Sequence, residues 1–241
     1  MTFQLELKKL KRTGFFPAIL GGGLIAAAFP ILNTAARPEM FISQPLPALD
    51  ILMNANSQMI VMLNLCLAVI GACMIYHTEF SGNAMQKMES LPVSVGKLFF
   101  DKTAILLIAL FAALLIEHMA LAFCALYWFP EQSGLFTALL KNLEYSFALL
   151  IPPCIILMIF SSLCRNMWIT LGAGVICIFT VSVLPTDNRI LSFFPFSLPF
   201  QTMAGAEDAN WIFATLAGCA AEIVLAVLAE SVILKVRRHC A

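Results

Sequence analysis

Apolar stretches of roughly twenty residues alternate with short polar connections along the whole chain, and no long series of segments alternates residue by residue as strands would. A hydrocarbon core about 30 Å thick needs about 20 apolar residues per helix. That measure predicts six spans, Phe15–Thr34, Ser57–His77, Thr103–Phe129, Leu139–Leu163, Trp168–Leu184 and Trp211–Leu234. Lipid offers the backbone no hydrogen-bond partners, so each span is expected to be a helix. The expected fold class is all-α: a polytopic membrane protein with about six transmembrane helices, forming a single transmembrane domain over residues 1–241.

The distribution of Lys and Arg orients these spans, because cytoplasmic flanks retain positive charge. With the N-terminus inside, the inner face carries Lys8, Lys9, Lys11, Arg12, Lys87, Lys97, Lys102, Arg165, Lys235, Arg237 and Arg238, and the outer face only Arg37, Lys141 and Arg189. Both termini are therefore expected in the cytoplasm. Tyr76, Tyr127, Trp128, Tyr145, Trp168 and Trp211 all fall near predicted helix ends, where amphipathic rings prefer the headgroup level.

Two connections stand apart. Residues 78–102 form a polar inner connection in which Phe80, Met85, Met88 and Leu91 recur at helical spacing, so one or two short amphipathic helices broken near Pro92 are expected. On the outer face, residues 186–209 include RILSFFPFSLPFQTM (189–203), too short and too rich in Pro to span but strongly apolar, which suggests an element at the interface or a cap on the bundle. Residues 1–14 are a basic inner segment, and the apolar run after them is expected to be a retained first span rather than a cleaved signal.

Composition narrows the function. The chain is 61% hydrophobic and only 12% charged, with a mean hydropathy of +0.92, which excludes an ordinary soluble domain. A net charge of zero gives no footprint for nucleic acid. Seven of the eight cysteines lie in or at the ends of apolar runs, with no CxxC pair, and are expected to act as small apolar filler. The Gly96-Lys97 pair has Leu91 and Leu98 where a phosphate-cradling loop needs Gly and Ser or Thr, so ATP is not bound by that route. HExxH, GxSxG and Cys/His clusters are absent; no catalytic or metal-ligating residue is assigned, and an enzyme is not expected.

Glu117, His118 and Glu222 lie within predicted spans, with Glu230 nearer the inner surface and able to snorkel. Charge at the bilayer centre costs at least a few kcal/mol, so each is a functional candidate. They could form a proton or cation relay; hydrogen bonding across a helix interface is the favoured reading. Ala18, Gly22 and Ala26 allow close helix approach, either within the chain or between copies, and Pro152 and Pro153 are expected to bend the fourth span and free carbonyls.

The basic stretch Glu6–Arg12 (ELKKLKR), the six spans, and an inner connection carrying Glu79-Phe80, Met88-Glu89-Ser90-Leu91-Pro92-Val93-Ser94 and Lys97 resemble the permease subunits of type-2 ABC exporters. Within them the chain is most similar to the small permeases of bacteriocin and lantibiotic self-protection (immunity) transporters. That family commonly has a basic residue after Leu-Pro-Val-Ser, where this chain has Val95. The resemblance implies a multi-pass protein of a bacterial plasma membrane that pairs with an ABC ATPase subunit and a second permease, either an identical copy or a sister chain. ATP and Mg would be bound by the ATPase, with no cofactor on this chain. It further implies that residues 78–102 form a coupling segment contacting the ATPase through Glu79, Phe80, Met88, Leu91, Pro92, Ser94 and Lys97. The cargo would be an amphiphilic antimicrobial peptide removed from the membrane. An ATP-independent carrier or channel and a non-transporting membrane scaffold are the alternatives.

Cysteines placed at Asp50 and Asp208 should react with an impermeant thiol reagent from outside, and one at Lys87 only from inside. Outside reactivity at position 87 would invert the topology.

Overall fold

The computed structural model of the protein describes residues 2–80, 95–130, 134–164, 166–183, 192–203 and 209–240. The described elements are α1 (Thr2–Lys11), α2 (Phe15–Ala36), α3 (Pro38–Ile42), α4 (Ala48–Phe80), α5 (Val95–Trp128), α6 (Leu135–Leu163), α7 (Met167–Val183), a 3-10 turn (Leu198–Phe200) and α8 (Ala209–Cys240). Helices α2, α4, α5, α6 and α8 are long and apolar enough to cross a membrane. The remaining expected span, α7, has 17 residues, about 26 Å of helix and slightly under the hydrocarbon thickness. The protein is thus a polytopic α-helical membrane protein.

The helices alternate in direction between two faces. Lys9 of α1 meets Glu79 at the end of α4, and Lys102 near the start of α5 pairs with the same carboxylate. Leu234, close to the end of α8, lies against Gly96 of α5. Both terminal segments therefore share the face to which the positive-charge rule assigns the cytoplasm. At the opposite face Phe41 of α3 packs with Leu49, Leu52 and Met53 of α4, Leu121, Cys124 and Phe129 from the end of α5, and Leu139 of α6. That cluster explains why α4 begins at Ala48, nine residues before the hydropathy pattern places it: Leu49, Ile51, Leu52 and Met53 are buried by neighbours rather than by lipid.

α2 packs most extensively on α5. Ile19, Gly23, Ala26, Ala27, Pro30 and Thr34 form its buried stripe, so the small residues serve packing inside the chain. A side chain on Gly23 would stand 2.8 Å from Ala113 Cβ and 3.0 Å from its Cα, whereas nothing lies within 4 Å of the same position on Gly21.

α6 is assigned as one helix through Pro152 and Pro153. Pro152 has no N–H for the Ala148 carbonyl, and the Cys219 thiol of α8 donates to that oxygen instead (3.1 Å). The freed carbonyl thus ties α8 to α6. The aromatic residues divide: Tyr127 and Trp168 are exposed to the surroundings, but Tyr76 and Tyr145 are each only 5% exposed and belong to the core. Glu230, for which snorkelling was expected, is likewise buried at 3% exposure.

Gly23→Ala should destabilise the protein by about 1–3 kcal/mol, since the opposing atoms include backbone, while Gly21→Ala should leave thermal unfolding in detergent unchanged. Equal tolerance at both positions would contradict the close α2–α5 contact.

Candidate functional site

Two polar constellations stand out, one at the charged face and one inside the bundle. The first is built by the N-terminal corner. Gly14 takes φ 77°, a left-handed conformation open to glycine without steric cost, and turns the chain from α1 into α2. Thr13 Oγ1 donates to the Leu10 carbonyl at this corner (2.8 Å). The turn lays α1 against α5 with Leu10 (2% exposed) and Glu6 (5%) facing inward.

Glu79, 3% exposed, receives Lys102 Nζ on its Oε2 and has Lys9 Nζ 3.9 Å from its Oε1. Lys9 also bridges to Glu6 Oε1 at 2.5 Å. Lys102 is 1% exposed, and its Nζ stands 4.8 Å from the centroid of the Tyr76 ring, which stacks on Phe80 at 6.3 Å. Signs alternate through Glu6, Lys9, Glu79 and Lys102, so the cluster is neutral as a whole. Burying Glu79 and Lys102 is tolerable because they pair with each other, and Lys102 gains the negative face of an aromatic ring in addition; Lys9 is exposed and forms an ion pair, but no hydrogen bond, with Glu79 Oε1.

This cluster joins the last turn of α4 to the start of α5, the two helices that flank residues 81–94. Among the residues expected to contact an ATPase, Glu79 is turned into the protein, Phe80 is half-buried on Tyr76, and Lys97 is exposed. Met88, Leu91, Pro92 and Ser94 lie outside the described residues. Lys102 was missed as a site residue, although its place at the end of a polar connection, just before an apolar run, marks it as a charge entering the bundle.

The second constellation lies midway along α4 and α5. Glu117 is fully buried, and Asn64 Nδ2 donates to its Oε2 (2.8 Å). The Glu117 Oε1 and Asn64 Oδ1 atoms have no hydrogen-bond partner. Next to it, Asn142 Nδ2 of α6 donates to His118 Nε2 (3.2 Å), so the ring proton sits on Nδ1 and donates to the Leu114 carbonyl (2.8 Å). Both ring nitrogens are engaged in the neutral tautomer. Glu117, His118 and Asn64 line a cavity of about 30 Å³, together with Ser57, Ser146 and Pro199 among others. Glu222, the third member of the possible relay, is on α8, partly buried and not part of this lining. The asparagines were missed because only ionisable side chains were weighed; an Asn in the middle of an apolar run is itself a signal of a polar contact.

Among the described residues no cluster of His, Cys, Asp and Glu could hold a metal ion.

The family profile described as ABC-2 family transporter protein matches residues 2–181. The chain belongs to this family. The match takes in both polar constellations and the 81–94 connection; the outer segment and α8 lie beyond it. Proteins of this class are the membrane permease subunits of ABC transporters and work with a separate ABC ATPase subunit, so this chain is a transport subunit. No curated protein and no solved structure matches the chain significantly.

Lys102→Met strands the buried Glu79 carboxylate and should lower stability by about 3–5 kcal/mol. Adding Glu79→Gln should recover most of that loss in thermal unfolding. If the double variant is no more stable than the single, the two residues are not coupled.

Proposed function

We propose that the chain is the permease of an ATP-driven exporter, with its ATPase docking on residues 78–102 and the Glu79–Lys102 pair passing the force of that contact into α4 and α5. The observation that carries this is the buried ion pair at the two helix ends flanking the connection. A pull on residues 81–94 reaches both helices at once, because their ends are held together by charge in a site closed to water. The exposed Lys97, one turn from the connection, is a suitable docking contact.

The cargo is an amphiphilic peptide taken from the membrane and expelled outward, which would give a bacterial cell immunity to an antimicrobial peptide. Two features support such a cargo. Large apolar side chains on α2, α7 and α8, among them Leu24, Ile176, Phe213 and Leu225, face away from the protein core. At the outer face Phe193 and Phe194 are partly exposed beside the entry to α8. A second permease, identical or a sister chain, completes the transporter, and ATP with Mg is bound by the ATPase.

The test is affinity purification of the solubilised chain from its host, with ATPase turnover and peptide export measured on the recovered complex. Leu91→Asp with Lys97→Glu should detach the ATPase. Glu79→Gln with Lys102→Met should keep it attached while export falls relative to ATP turnover. If no ATPase is recovered while other membrane complexes survive, an ATP-independent carrier or a scaffold replaces this reading.

A further inference from the structure

We propose that the cavity between α4, α5 and α6 is an intramembrane proton-binding site, with Glu117 as the binding group, Asn64 sharing the proton and the Leu198–Phe200 turn as its cover. The site does not depend on the ATPase partnership and lies far along α4 and α5 from the Glu79 cluster.

The case rests on two buried acceptors without a donor. Glu117 is 0% exposed and Asn64 3% exposed. The Asn64 amide nitrogen already donates to Glu117 Oε2, which leaves Glu117 Oε1 and Asn64 Oδ1 both unpartnered. Two acceptors cannot satisfy each other, and a buried polar group left unpaired is destabilising. One added hydrogen would serve both: protonated Oε1 becomes a donor, and Oδ1 belongs to the same amide that already bonds the carboxyl group through Nδ2.

No fixed charge offers an alternative. The titratable groups lining the cavity are Glu117 and His118. His118 has its Nδ1 hydrogen on the Leu114 carbonyl and its Nε2 occupied by Asn142, so it cannot supply positive charge without breaking a bond. From α4 the lining is Met53, Ser57, Ile60, Val61 and Asn64, and α6 contributes Ser146 and Leu150. The charged residues of these helices lie elsewhere: Asp50 and Glu79 toward the two ends of α4, Lys141 and Glu144 exposed on α6. α2 has no Asp, Glu, Lys, Arg or His between Phe15 and Ala36. Of the remaining neighbours of α5, α1 places Glu6 and Lys9 in the Glu79 cluster, and α8 brings Glu222 and Glu230, neither of which lines the cavity. An ionised Glu117 would therefore be an uncompensated charge inside the membrane.

The exchange is Glu117–COOH plus water giving Glu117–COO⁻ plus hydronium; only the O–H bond changes. It needs water in the cavity, and a volume of about 30 Å³ accommodates one. Pro199 is the one lining residue from the Leu198–Phe200 turn, and its neighbour Leu198 is 0% exposed against Tyr145, Leu149 and Cys219. Lifting this turn admits water and lets the proton leave. By linkage, proton binding then favours the closed arrangement and alkaline conditions the open one.

Infrared spectroscopy of the full chain in lipid nanodiscs, with and without sodium, tests this. The carbonyl stretch of a protonated carboxylic acid is expected at neutral pH, unaffected by sodium and lost in Glu117→Gln. Asn64→Ala, which retains Glu117, should shift the same band because the acid hydrogen loses its acceptor. Leu198→Ser should speed deuterium exchange of the band. A band that sodium abolishes would make this a metal-cation site, and absence of any band removed by Glu117→Gln would overturn the proposal. An unmoved band in Asn64→Ala would overturn the sharing, and an unchanged exchange rate in Leu198→Ser would overturn the cover.

Discussion

A bilayer core supplies no hydrogen bonds and no counter-ions, so every polar group inside the bundle must find its partner within the protein. For the backbone the helix itself is the solution. For side chains the solution is cross-helix pairing, and these pairs set how the helices meet. Asn33 reaches from α2 to Asn56 of α4 (2.8 Å), Asn64 from α4 to Glu117 of α5, and Asn142 from α6 to His118 of α5. The Cys219 thiol closes the last junction on the carbonyl that Pro152 leaves free. Apolar packing between helices has little driving force in lipid beyond close contact, so such bonds and the small residues of α2 carry much of the specificity.

The same constraint separates the two polar sites in character. At the charged face four ionic side chains alternate in sign and one aromatic ring backs Lys102, so the cluster is internally compensated. It is a joint between helices, stiff because breaking it exposes an unpaired buried charge. In the middle of the bundle no opposite charge is present: Glu117 has the Asn64 amide as its partner, and its Oε1 and the Asn64 Oδ1 remain without donors. An incomplete polar network in a protein interior is where exchange with something small can occur, and one residue of the Leu198–Phe200 turn, Pro199, is among those that line it.

The outer segment connects these ideas. Its Phe196 and Leu198 are buried, while Phe193 lies against Trp211 (6.1 Å) and fills the space left by Gly218 of α8. Its described part, residues 192–203, packs on the bundle as a cap would, one of the two forms expected of the segment, and one of these residues, Pro199, lines the cavity that holds Glu117. Movement of the outer face and the chemistry of the interior are adjacent in space, although more than seventy residues separate them along the chain.

Hydropathy and charge asymmetry determined the broad architecture: helical spans, their approximate centres, and a shared face for the two terminal segments. These properties follow from local sequence because water and lipid act on each segment independently of the others. The resemblance carried by residues 79–97 likewise named the family through a short local pattern. Only the tertiary structure decided that Glu79 is buried against Lys102 rather than presented outward, that Tyr76 and Tyr145 face the core, and that Glu117 meets Asn64 while Glu222 stands apart from their cavity. Each of these depends on which residue of another helix lies opposite, 23 residues away along the chain for Lys102 and Glu79 and 53 for Glu117 and Asn64. Periodicity within one helix states which face is apolar, but pairing between faces is set by rotation and register of packed helices, which no single segment contains.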